Sequence, residues 1–326
     1  MKIRIVVAVC VIVLILAMAN LFVSHAQQAA GEPQQLAGNG APPLSNPLKV
    51  ALLKWYKANT APTEFAVGAG PLGVAFDGAN IWVAAGIGAT KLRASDGAVL
   101  GMFAAGNGGA GVTFDGANVW VSGSNTVTKL RASDGKNLGT FSVGQFPSWM
   151  TFDGAHIWVP YGTNTVAKLR ASDGQNLGTF TVGSSPSAAA FDGTDVWVTN
   201  TGDGTVTKLR ASDGKVLGTF AVGSRPLGIA FDGSDVWVGN RGDGTVSKLR
   251  ASDGKLLGTF DGYTSAYGVA FDGTNIWLAG SPYVTELRAS DGAKLGLWDA
   301  FGSIAVAFDG ANVWITRLSD NAVHKF

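Results

Sequence analysis

The tripeptide Phe-Asp-Gly with a tryptophan six residues after its Phe recurs at Phe76, Phe114, Phe152, Phe191, Phe231, Phe271 and Phe308, at intervals of 38, 38, 39, 40, 40 and 37 residues. A period this even implies one supersecondary unit, stacked on copies of itself. The unit is cleanest at 226–260, PLGIAFDGSDVWVGNRGDGTVSKLRASDGKLLGTF. GIAF (228–231) and VWVGN (236–240) flank an Asp-Gly turn, whose Gly supplies the positive φ of a tight hairpin. A second Gly-rich break, RGDG, precedes TVSKLRAS (245–252), and an SDGK turn leads into LLGTF. Threonine, valine and aromatics at these positions suit a pleated sheet. Each copy therefore reads as four short antiparallel strands. Seven copies predict an all-β, seven-bladed β-propeller over 63–326.

The ends of the repeat region predict how the ring closes. TEFAVG at 63–68 matches the fourth strand of the unit, GTFAVG at 218–223, but no first three strands precede it. The last copy, IAVAFDGANVWITRLSDNAVHKF, supplies three strands and reaches Phe326 without a fourth. The strand at 63–68 should complete the last blade, leaving no open sheet edge where the ring begins.

The other segments are read from composition. Lys2 and Arg4 precede an apolar run over 5–23, and Ser24-His25-Ala26 offers small residues for cleavage before Gln27. Residues 1–26 fit an export signal, or, with 5–23 spanning 19 residues broken only by Asn20, a membrane anchor. The expected location is periplasmic or extracellular, with or without a membrane tether. Cys10, the only cysteine, lies in this segment, so a cleaved chain can form no disulfide and use no thiol. Residues 27–46 form a Pro/Gly/Gln-rich linker. Asn46-Pro47 resembles a helix start, and 47–59 reads as a short amphipathic helix that docks on the repeat domain or lies on a membrane. A net charge of +1 with dispersed basic residues argues against a nucleic-acid partner. The expected state is a monomer.

Most chemistry-bearing residues belong to the repeat. A tryptophan follows each Phe by six residues: Trp82, Trp120, Trp158, Trp197, Trp237, Trp277 and Trp314. Sevenfold repetition favours packing between blades over stacking of sugars or cofactors, since one site must break the symmetry. Thirteen of the 20 aspartates lie in the seven FDG turns or the six SDG turns of the repeat, where a short carboxylate accepts backbone N–H groups. The Lys-x-Arg of the third strand reads as part of the same rim device. Function is expected on the face carrying the second-to-third loops and the blade connections, where the copies diverge. The candidate ligand-binding residues there are Phe146, Trp149, Tyr161, Asn200, Arg225, Asn240, Arg241, Tyr263, Tyr267, Tyr283 and Arg317. Aromatics with a few arginines suit a peptide, a glycan or a small anionic ligand.

Catalytic and metal signals are scarce along the chain. The three histidines are His25, His156 and His324, and glutamate occurs only at Glu32, Glu64 and Glu286. No His pair, Glu-His cluster or thiol is expected from which to build a zinc site or a nucleophile with its base. No Gly loop opens a helix as a phosphate cradle would. Asp203 and Asp243, each in GDGT, could contribute to a Ca²⁺ site, although isolated Asp-Gly pairs are mostly turns. No catalytic residue, metal or cofactor is assigned.

WVTNTGDGTVTKLRASDGKVLGTFAVGSRPLGIAFDG at 197–233 resembles the YVTN-type bacterial β-propeller repeat of the periplasmic YncE-like proteins, with Trp197 in place of the motif's tyrosine. The chain is more distantly similar to the virginiamycin B lyases. The first resemblance implies an exported, non-enzymatic propeller that binds a peptide, glycan or protein through its divergent face. The second implies the alternative, a metal-assisted lyase or lactonase. The His and metal-binding acid of the lyases, the acidic channel ligands of the sugar lactonases and the Cys pair of quinone-cofactor propellers are not matched here.

Overall fold

The computed structural model describes residues 63–326 except 107 and 261–264. The expected export signal, linker and helix, and Tyr263, lie outside the described residues. The described residues form seven four-stranded antiparallel sheets and no helix. Blade five, built from the unit quoted above, has strands Pro226–Phe231, Asp235–Asn240, Thr245–Arg250 and Leu256–Phe260, hydrogen-bonded in chain order. The first strands of successive blades pack against one another around a closed ring. They therefore line the central axis, and the fourth strands form the rim.

Blade seven closes the ring as expected. Its first three strands are Ser303–Phe308, Val313–Arg317 and Ala322–Lys325, and its fourth is Thr63–Ala66. The register is Thr63↔Lys325, Glu64↔His324, Phe65↔Val323 and Ala66↔Ala322. The Val67 N–H extends the pairing, donating to the Asn321 carbonyl at 2.9 Å.

The repeated residues form one junction device. In every blade the Trp indole Nε1 donates to the Oδ2 of its FDG aspartate at 2.7–2.8 Å. The Oδ1 of the same aspartate accepts two backbone N–H groups of the turn, as Asp232 does from Ser234 and Asp235. An aromatic ring of the fourth strand packs on the indole, with centroids 5.1–5.6 Å apart. Six of these rings also press on the SDG glycine of the next blade: a Cβ on Gly254 would lie 2.1 Å from the Phe220 ring. Gly254 is left-handed as well (φ 74°), so glycine is required there twice over.

The third-strand lysines depart from the sequence expectation. They are buried links between blades rather than part of an exposed rim ladder. Lys248 Nζ lies 4.9 Å from the Trp237 ring centre and donates to the Ala289 carbonyl of blade six at 2.8 Å. Lys91, Lys129, Lys168 and Lys208 repeat the link, and Lys325 closes the circle on Ala94 of blade one at 2.8 Å. Carbonyls and an aromatic face stabilise an ammonium that would otherwise resist burial. The neighbouring arginines pair with the SDG aspartates at 2.9–3.1 Å, but both partners are about half exposed. Such pairs contribute little.

Two exceptions follow from the closure. Blade seven has no turn between its third and fourth strands, because those strands come from opposite ends of the domain. Blade six thus has no such turn to receive its lysine or its aromatic ring. Glu286 stands at the lysine position and accepts from Asn275 Nδ2 at 2.6 Å. Trp298 replaces the usual phenylalanine and meets Phe326 edge-on at 6.2 Å.

At Asp153 and Asp309, burial pushes the carboxyl up. The indole N–H and the other donors of the turn outweigh it, leaving each below the ordinary value. A depressed folded value means this stabilisation is complete above the unfolded value and disappears as pH falls through the folded one. These carboxyls should make the thermal midpoint drop between about pH 4 and about pH 3. A midpoint series across that range checks this, and a flat profile to pH 3 would contradict it.

Candidate functional site: the divergent face and the channel

The channel is narrow because its walls are small. Gly73, Gly111, Ala188, Gly228, Gly268 and Ala305 occupy one row, five of them on first strands and Gly111 just before its own. Adjacent backbones come so close that a Cβ on Gly228 would lie 2.4 Å from the Tyr267 carbonyl oxygen, and one on Gly111 2.2 Å from that of Ser148. Blade three places Trp149 in this row. The connection in which the sequence places it runs onto the axis, where Trp149 lines a cavity of about 160 Å³. Its Nε1 donates to the Ala110 carbonyl at 2.8 Å. Its backbone joins blade four in a parallel bridge, through Ser187 at 3.1 Å and Ala189 at 3.0 Å. The cavity is lined by Gly, Ala, Val, Ile, Met and this one tryptophan, so no side chain in its lining titrates.

The divergent face carries its distinguishing residues on strained backbone. Each connection passes through a left-handed residue just before the first strand: Gly70, Gly108, Phe146, Ser185, Arg225, Ser265 and Gly302. Three blades use glycine. Phe146 (φ 57°) and Arg225 (φ 52°) hold large side chains in the same conformation. That conformation costs about 1–2 kcal/mol for a residue with a Cβ. Phe146 is 77 % exposed, and its N–H donates to the Ser124 carbonyl at 2.8 Å. Tyr161, half-buried, packs its ring against Gly144 just upstream. Contacts also join a second group. The Arg241 guanidinium lies 4.7 Å from the Tyr267 ring centre, and the Arg241 N–H donates to the Arg225 carbonyl at 3.2 Å.

The remaining candidates are placed differently. Asn200 and Asn240 are fully buried, with Asn200 Nδ2 donating to Thr205 and Thr207 and Asn240 Nδ2 to Thr245 and Ser247. They tie the second strand to the third and present no side chain to solvent. Tyr283 is half-buried on blade six. The GDGT aspartates brace the same loops. Asp203 and Asp243 each accept a connection N–H at 2.6 Å, from Ser184 and Ser224. Burial pushes the Asp243 carboxyl up, but Ser224 and Thr245 together hold it below its ordinary value.

Arg317 belongs to a cluster that the linear sequence hides. Its Nη2 meets Asp320 at 2.7 Å, and its Nη1 donates to His324 Nε2 at 3.1 Å. Glu64 arrives on the closing strand with Oε2 3.5 Å from the same imidazole nitrogen. Burial and the Arg317 charge lower the His324 pKa, against the opposing pull of Glu64 and Asp320. A Glu-His pair is therefore present, although the two residues are 260 positions apart. The signal was available: aligning TEF with GTF places Glu64 across from His324.

No protein-family model matches this chain, and no curated protein sequence matches it. Among solved structures it is similar to one described as a streptogramin B lyase structure. They share 16 % sequence identity and a TM-score of 0.67, over 81 % of this chain and 96 % of that one. At that identity the likeness shows the fold, a seven-bladed β-propeller.

Proposed function

We propose that this chain is an exported, non-enzymatic propeller of the YVTN type. Its divergent face binds a peptide segment, free or within a protein, that carries a carboxylate beside an apolar side chain. The observation that carries the reading is the pair Phe146 and Arg225. Both hold left-handed backbone where three sister blades use glycine and two use serine, and they display an aromatic ring and a guanidinium toward solvent. Strain kept at exposed positions is explained by the side chains it presents. Arg241, stacked on Tyr267, adds a second guanidinium suited to a carboxylate. The cavity lining supports a binding role over the lyase reading, because it contributes no acid, base or metal ligand.

An array of short peptides varying in acidic and aromatic content, probed with the purified chain, tests this. Phe146→Gly and Arg225→Gly should each reduce binding about tenfold or more, as removal of a central anchor does. Their thermal midpoints should stay level or rise, since glycine relieves the strain. Unchanged binding in both variants would overturn the assignment.

A further inference from the structure

We propose that Glu64, Asp320 and His324 form a binding site for a divalent transition metal ion of the zinc class, clipping the first described strand to the last hairpin of the ring. Three positions carry the argument. The residue facing His324 across the outer pair is threonine in blades two to five, as in Thr128–Thr140 and Thr207–Thr219, and becomes Glu64 here. The His324 position is Thr207 in blade four and Ser247 in blade five. The Arg317 position is Asn200 or Asn240 in those same blades. In blades four and five all three positions hold neutral hydrogen-bonding residues, whereas in blade seven all three are ionisable.

The geometry fits a small ion. One ligand atom from each of the three residues lies within 4.8 Å of the other two. His324 Nε2 is 3.5 Å from Glu64 and 3.8 Å from Asp320, against about 3.3 Å between ligands around tetrahedral zinc. The imidazole is the fixed member, its side chain only 8 % exposed, whereas Glu64 is 54 % exposed and free to close the small difference. Because Nε2 accepts from Arg317, its lone pair already points into the cluster. Two carboxylates and one guanidinium leave an excess negative charge beside a neutral imidazole. One nitrogen and two carboxylate oxygens suit zinc, cobalt or nickel better than magnesium or calcium, which favour all-oxygen shells. Arg317 occupies the space and charge the ion would take, so it must turn outward on binding and competes with the metal.

Zn²⁺ alone, titrated into the chelator-stripped full chain by calorimetry, provides the test. One equivalent should bind, and at a hundredfold excess over Kd the thermal midpoint should rise by about 5 °C. Co²⁺ should give the visible absorption of a low-coordinate site, and Mg²⁺ should give neither effect. Glu64→Gln, at an exposed position that leaves the fold intact, should weaken binding by at least about tenfold, and Arg317→Gln should tighten it by a similar factor. Absence of binding in both the parent and Arg317→Gln would overturn the proposal. So would a Glu64→Gln variant that binds like the parent.

Discussion

Deleting residues 63–68 should lower the thermal midpoint of the whole propeller by about 10–20 °C in a single transition, rather than loosen one end. The deletion removes the fourth strand of blade seven and its four-residue register with Ala322–Lys325. It also removes the Phe65 ring, which packs on Trp314 at 5.6 Å and presses on Gly97 of blade one. Losing a phenylalanine of this kind costs about 3–5 kcal/mol, and the lost strand pairing adds more at about 1 kcal/mol per hydrogen bond. At about 2–4 °C per kcal/mol for a domain of this size, the shift is large. It is global because each blade is held by both neighbours, and an open edge weakens the ring at one junction. Calorimetry checks this; a truncated protein that melts like its parent would contradict the closure.

Asp192→Ala should destabilise the domain by about 3–5 kcal/mol, more than its position in a surface turn suggests. Its Oδ1 accepts from the N–H groups of Thr194 and Asp195, and its Oδ2 accepts the Trp197 indole at 2.7 Å and lies 3.9 Å from Lys208 Nζ. Removing the carboxylate leaves a buried indole N–H without its acceptor and a buried ammonium with less negative charge nearby. Asp195, 2.9 Å from Lys208, keeps the loss from being greater. Asp213→Ala provides the contrast: its partner Arg210 is exposed at 3.1 Å, and the change should leave the denaturation midpoint nearly unmoved. Denaturant titration of the two variants separates them, and equal losses would contradict the account of the junction.

What was legible in the sequence follows from what repetition can encode. The Phe-Asp-Gly period predicts seven blades, and the orphan TEFAVG predicts the closure, because both are local patterns repeated or interrupted. The Trp–Asp bond was only half legible: a turn aspartate is recognisable, whereas its second oxygen's reach to an indole is a matter of hairpin geometry. The burial of the lysines is not legible, because strand alternation only separates the two faces of a sheet. It does not say which face meets the next blade. Trp149 falls in a connection, since the first strand of blade three is confined to Thr151–Phe152. The indole then sits where its sister strands carry glycine or alanine. The cluster around His324 was hidden by distance along the chain, since only the closed ring brings Glu64 to it.

The division between a repeated frame and an individual face is tested most directly by one paired measurement. The double variant Phe146→Gly/Arg225→Gly is compared with the parent for thermal midpoint and for binding to the peptide array. The frame rests on Trp, Asp, Lys and Gly contacts that neither residue makes, so the midpoint should hold or rise while binding falls by at least about a hundredfold. Binding at the parental level by a variant of unchanged stability would contradict the account.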